Sequence, residues 1–148
     1  MTDSKGPGPT PEAIATWITT TWPETIVAEA MGATFFSLDP SSWPNFATIV
    51  TTDEHDMGTP SNLTARPDVF RLNIGVGKAT FERLAAVWSA GDTEPDPAEL
   101  DTLLPHPVYA KQRWVSILNP SHATFDAVVK RLLGEAHDRL AVRYPAQP

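Results

Sequence analysis

Apolar residues recur along the chain with two different periods, and the switches between them divide it into elements. Ile14, Trp17 and Ile18 stand at helical spacing behind Thr10 as N-cap, Pro11 at the first helical position and Glu12 in the first turn. Trp22 and Pro23 end this helix, because the residue before a proline is pushed out of the α region. Residues 25–30 and 33–38 read as strands joined by a turn at Met31 and Gly32, and residues 46–51 as a third strand after the turn chemistry of Asp39 to Ser42. Residues 69–76 alternate cleanly, with Phe70, Leu72 and Ile74 facing one way and Arg71 and Asn73 the other. Gly75, Val76 and Gly77 turn the chain into a second helix on Phe81, Leu84, Ala85 and Trp88, stopped by Gly91. Residues 97–104 predict one or two helical turns, and residues 114–119 a fifth strand.

The last helix opens at Pro120 or Ser121 and has the longest stripe: Phe125, Val128, Val129, Leu132, Leu133, Ala136 and Leu140. Asp126 and Glu135 precede Lys130 and Arg139 by four residues, so both pairs face each other on its surface. The strands follow one another without regular crossover helices. An α+β fold is expected: a largely antiparallel sheet of about five strands, helices packed on one face, and a long C-terminal amphipathic helix. Residues 1–10 read as a flexible tail, 11–144 as a single domain and 145–148 as a second tail. The polar stretch 53–68 is long for a connection inside a domain, which marks it as functional or mobile.

Composition narrows the classes of function. The 148 residues are 41% hydrophobic and 20% charged, ordinary usage for a globular domain. No apolar run approaches the roughly 20 residues of a membrane span, and residues 1–11 lack the apolar core of an export signal, so a cytoplasmic protein is expected. With no cysteine, disulfides, thiolate catalysis and cysteine-based zinc sites are excluded together. The net charge of −7, with eleven scattered basic residues, argues against nucleic acid as a partner. The block Asp92, Glu94, Asp96, Glu99 and Asp101 reads as a solvated loop.

Chemistry is most concentrated between Pro105 and Trp114. His106 stands between two prolines that restrict its backbone, and Tyr109, Lys111 and Arg113 add donors nearby. Rigid presentation of an imidazole suits a general base or a ligand contact; the plainer reading is a turn whose histidine caps a neighbouring carbonyl. Arg71 and Asn73, in mid-strand among apolar neighbours, suit either a bidentate contact to an anion or a cross-strand salt bridge with a hydrogen-bonded Asn. Asp53, His55 and Asp56 could ligate a hard cation, but their spacing matches no defined site, so no metal and no cofactor is assigned. Gly75-x-Gly77-Lys78 at a strand-to-helix turn is similar to anion-binding loops, or is simply a permissive N-cap. The five tryptophans (Trp17, Trp22, Trp43, Trp88 and Trp114) are read as core. The candidate ligand-binding set is therefore Arg71, Asn73, His106, Tyr109, Arg113 and Trp114, on the sheet face away from the helices. It would hold a small anionic or aromatic ligand or a protein partner. The alternatives are a small secondary-metabolite enzyme (isomerase, cyclase or hydrolase) with His106 as acid/base and Arg71 or Tyr109 stabilising negative charge, and an interaction protein with an exposed apolar patch.

Four ordered blocks carry a family resemblance: residues 48–53 (ThrIleValThrThrAsp), 66–76 (ArgProAspValPheArgLeuAsnIleGlyVal), 105–109 (ProHisProValTyr) and 114–120 (TrpValSerIleLeuAsnPro). Together, over roughly residues 14–142, the chain resembles a bacterial group, the domain-of-unknown-function 6194 family. The resemblance implies a family and no activity. In that pattern a capping Ser opens the helix after Gly-Val, where this chain has Gly77. More remotely, a tryptophan strand followed by a long terminal helix is similar to the YjbR-like (MmcQ-like) proteins, which implies a small antiparallel sheet with helices on one side.

Overall fold

A computed structural model describes residues 8–30, 32–39, 45–52, 63, 66, 68–91, 96, 98–107 and 109–143. Helix α1 (Pro11–Thr21) begins as its sequence dictates: the Thr10 hydroxyl accepts from the Ala13 N–H at 3.0 Å. It ends at Trp22, whose N–H still reaches the Ile18 carbonyl. Strands β1 (Ile26–Ala30) and β2 (Ala33–Ser37) form a hairpin whose turn includes Gly32 at φ +81°, a left-handed conformation that favours glycine. Strands β3 (Asn45–Val50) and β4 (Arg71–Gly75) follow, then α2 (Lys78–Ser89), the short β5 (Leu104–Pro105), a 3₁₀ turn (Ala110–Gln112) and β6 (Trp114–Leu118).

The chain ends in one continuous helix made of α3 (His122–Thr124), a π-helical turn (Phe125–Val129) and α4 (Lys130–Arg143). Ser121 caps it by accepting from the Thr124 N–H, and Asp126 pairs with Lys130 at 2.9 Å. The strands form one antiparallel sheet in the order β1-β2-β3-β4-β6-β5, so the architecture is α+β, with six strands where five were expected.

The sixth strand arises where helical turns were predicted. The described residues between Ala98 and Leu103 are not helical. Leu104 is buried opposite Ser116, Leu100 bridges to Leu118, and the Asp101 N–H donates to the Leu118 carbonyl at 2.6 Å. Edge pairing and burial of leucine outweigh weak helix propensity here. Pro105 is tolerated because it lies in an edge strand.

Register assigns each strand residue to a face. Phe36, Ala47, Ile49, Leu72, Ile74, Val115 and Ile117 project to one side, where Ile14 and Ile18 of α1 and Phe125, Val129, Leu132 and Leu133 of the terminal helix close the main core. Each fully buried side chain of this size contributes roughly 1.5–3 kcal/mol. At the margin of this core His137 stacks on Trp22, with ring centroids 4.5 Å apart, and its Nε2 lies 2.6 Å from the Glu24 carboxylate. That pairing, after the Glu24 backbone N–H, holds the Glu24 carboxyl below its ordinary range.

Candidate functional site

The opposite sheet face carries three rows of residues running across the strands. The first row is Ala33, Val50, Arg71 and Leu118; the second is Phe35, Thr48, Asn73, Ser116 and Leu104; the third pairs Gly75 with Trp114. The first row is not open. Leu63 and Val69 pack over Ala33, Val50 and Leu118 to make a second, smaller core. Arg71 is fully buried, and its Nη1 donates to the Ser116 hydroxyl at 2.8 Å.

The second and third rows form the floor and one wall of a cleft of about 430 Å³. Phe35 and Val50 line one side, Trp114 the other, and the segment between β5 and β6 adds His106, Tyr109 and Gln112. The Trp114 indole lies flat over Gly75: a β-carbon at that glycine would stand 3.1 Å from Cε2 and 3.2 Å from Cζ2 of the ring. Glycine at the end of β4 thus provides the seat for the aromatic wall.

The floor is polar. Asn73 Nδ2 donates to the Thr48 hydroxyl at 2.9 Å, and Asn73 is 5% exposed. Its Oδ1 is cut off from solvent without a partner, and so is Oδ1 of Asn45, another residue lining the cleft. Two of the three such orphaned side-chain atoms among the described residues therefore fall in one cleft. An unsatisfied buried carbonyl costs roughly 1–3 kcal/mol, so this concentration calls for an explanation.

His106 is buried, and its Nδ1 accepts from the Tyr109 backbone N–H at 2.9 Å. The histidine caps an N–H where a carbonyl had been expected. Because Nδ1 presents its lone pair to that donor, the neutral ring carries its proton on Nε2. The Tyr109 ring tilts over it at a centroid distance of 5.0 Å.

The structure thus brings Asn73, His106, Tyr109 and Trp114 together and separates them from Arg71 and Arg113. Arg113 has φ +66° at the end of the 3₁₀ turn, its side chain is exposed, and it does not line the cleft. Among the described lining residues, none carries a fixed charge. Phe35, Asn45, Thr48 and Gln112 were not singled out from sequence. Phe35 and Thr48 were hidden because strand pairing, not local pattern, sets them beside Asn73. Asn45 fell just outside the expected strand.

The other candidate loops resolve differently. The N-terminus of α2 is already occupied by an anion from the chain itself: Glu135 Oε2 accepts from the Gly77 N–H and Oε1 from the Thr80 hydroxyl, each at 2.6 Å. Glu135 does this in place of the predicted pairing with Arg139, which donates instead to the Gly75 carbonyl. Asp53, His55, Asp56 and Trp43 lie outside the described residues. Among the described residues no helix is long and apolar enough to cross a membrane.

Compared with known families, residues 9–147 match the one described as "Family of unknown function (DUF6194)", and the chain belongs to that family. No curated protein and no solved structure matches it.

Proposed function

We propose that this member of a family of unknown function is a binding module for a small aromatic molecule, held in the cleft between Phe35 and Trp114. The observation that carries the reading is the pair of orphaned amide oxygens, Asn45 Oδ1 and Asn73 Oδ1, in a cleft with aromatic walls. Ligand sites combine this kind of apolar lining with a few placed polar groups. An anionic ligand loses support, because Arg71 is buried beside the second core and Arg113 is turned outward. The acid/base role for His106 loses support too, since its Nδ1 already accepts a backbone proton donor. A concave cleft also suits a small molecule better than a flat protein partner.

Cytoplasmic placement is part of the proposal and rests on the cysteine-free composition and the lack of an apolar leader at residues 1–11. Shared architecture with the YjbR-like proteins is likewise inferred, from the β6 tryptophan strand leading into the terminal helix.

The test is ligand-observed NMR with a set of aromatic heterocycles, followed by the Gly75→Leu variant. Hits should bind wild type and lose binding when the added side chain displaces Trp114. If no aromatic compound binds at millimolar concentration, or if binding is indifferent to Gly75→Leu, the reading fails.

A further inference from the structure

We infer that the cleft selects an uncharged, fused heteroaromatic ring system carrying N–H donors on opposite edges. The inference rests on the binding reading above and goes further by naming the chemistry of the ligand.

Three observations lead to it. First, the unmet groups are both acceptors. Asn73 Nδ2 is engaged by the Thr48 hydroxyl, which leaves a carbonyl oxygen rather than an amide N–H2 in need of a partner. Asn45 contributes a second orphaned oxygen. An acceptor buried without a partner is relieved by a ligand N–H and made worse by a ligand carboxylate or ether oxygen.

Second, the two oxygens belong to residues too far apart for one small ring. Asn45 precedes Thr48 by three positions along β3, roughly 10 Å of strand, and Asn73 lies one strand further across, about 4.8 Å away. A single six-membered ring reaches one of them, whereas two or three fused rings with donors at both ends reach both. A cleft of about 430 Å³ has room for such a ring system.

Third, no fixed charge lines the cleft among its described residues, while Trp114 offers a ring face held flat on the backbone at Gly75. An ionised ligand would lose its hydration there without a counter-charge. A neutral planar ring would bury its faces against the aromatic walls.

Xanthine and caffeine probe the inference. Xanthine is uncharged at about pH 6 and carries N–H groups at both ends of its fused rings; caffeine has the same ring system with every N–H methylated. Indole-3-carboxylate serves as the anionic control. Wild type should bind xanthine about tenfold or more tightly than caffeine, the worth of one net hydrogen bond or more. Indole-3-carboxylate should bind more weakly still.

Asn73→Leu and Asn45→Leu separate donor recognition from the extra bulk of the methyl groups. Each removes an acceptor while keeping similar volume, so each should shrink the xanthine preference severalfold. A preference that persists unchanged in both variants is steric and overturns the inference. Equal binding of all three probes, or strongest binding by the carboxylate, also overturns it but leaves the aromatic-cleft reading standing. No binding by any of them, together with the absence of hits in the wider aromatic set, removes the cleft reading itself. Circular dichroism and a thermal melt of each variant establish that it is folded, and Asn45→Leu at the end of β3 is the safer of the two.

Discussion

Arg71 and Asn73 sit two residues apart on the same strand and the same face, yet their surroundings have little in common. Around Arg71 the chain closes over the sheet: Leu63 and Val69 seal the row that contains it, and the guanidinium donates to Ser116. Around Asn73 the sheet stays uncovered by a second core, the neighbours are aromatic, and an amide oxygen lacks a partner. The end that looks more functional by residue type is structural, and the modest asparagine stands where a ligand fits. Chemistry in a strand is decided by which row is covered, and residue type alone does not report that.

Four substitutions and a pH series would break or sharpen this contrast. Arg71→Ala should have the largest effect, a loss on the order of 3 kcal/mol in denaturant unfolding, because a fully buried side chain disappears and the Ser116 hydroxyl loses its donor. A loss under about 0.5 kcal/mol would mean that the Arg71 end is not a core. Gly75→Val should cost about 1–3 kcal/mol, as overpacking does, by forcing Trp114 off its seat; an unchanged tryptophan emission spectrum would contradict that geometry. Glu135→Ala should cost about 1 kcal/mol, the size of a lost helix cap, and should raise amide exchange in the first turn of α2 above all.

The pH dependence belongs to the helix-covered side. Glu24 is held below its ordinary 4.5 by its backbone hydrogen bond and by His137. Its contribution is therefore complete above that ordinary value and is lost as pH falls through the lowered, folded-state value. Melting temperature should decline on the acid side of 4.5, and Glu24→Gln should be less stable at neutral pH and show a shallower decline. A variant whose acid limb is as steep as wild type would remove Glu24 from the account. Asn73→Leu should move stability least, within about 0.5 kcal/mol or upward, because it replaces an orphaned acceptor with an apolar group; a loss above 2 kcal/mol would show that the amide is needed for folding.

Much of the fold was legible because its signals are local. Thr10, Pro11 and Glu12 mark the start of α1, the alternation of Phe70, Leu72 and Ile74 marks β4, and the stripe from Phe125 to Leu140 marks the terminal helix. The pieces that were misread depend on distant partners. Leu104 joins an edge strand because Ser116 stands opposite it, and Glu135 leaves Arg139 because the Gly77 N–H lies within reach. The site was legible in the same measure. His106, Tyr109 and Trp114 stand close together in sequence, and Asn73 is odd among its apolar neighbours. Phe35, Asn45 and Thr48 join them only through sheet register. Arg71 was misplaced because Leu63 and Val69, which cover its row, are ordinary residues in sequence.

The carboxylate of Glu135 at the start of α2 also orders events in time. Gly77 has no side chain to cap its own helix, and the group that serves instead lies 58 residues later. On a growing chain α2 therefore emerges with its first N–H groups unmet, and a lone helix of twelve residues is marginal in water. It matures only when the final segment has been synthesised and docked. The last residues of the domain to appear are thus the ones that complete a helix from its middle.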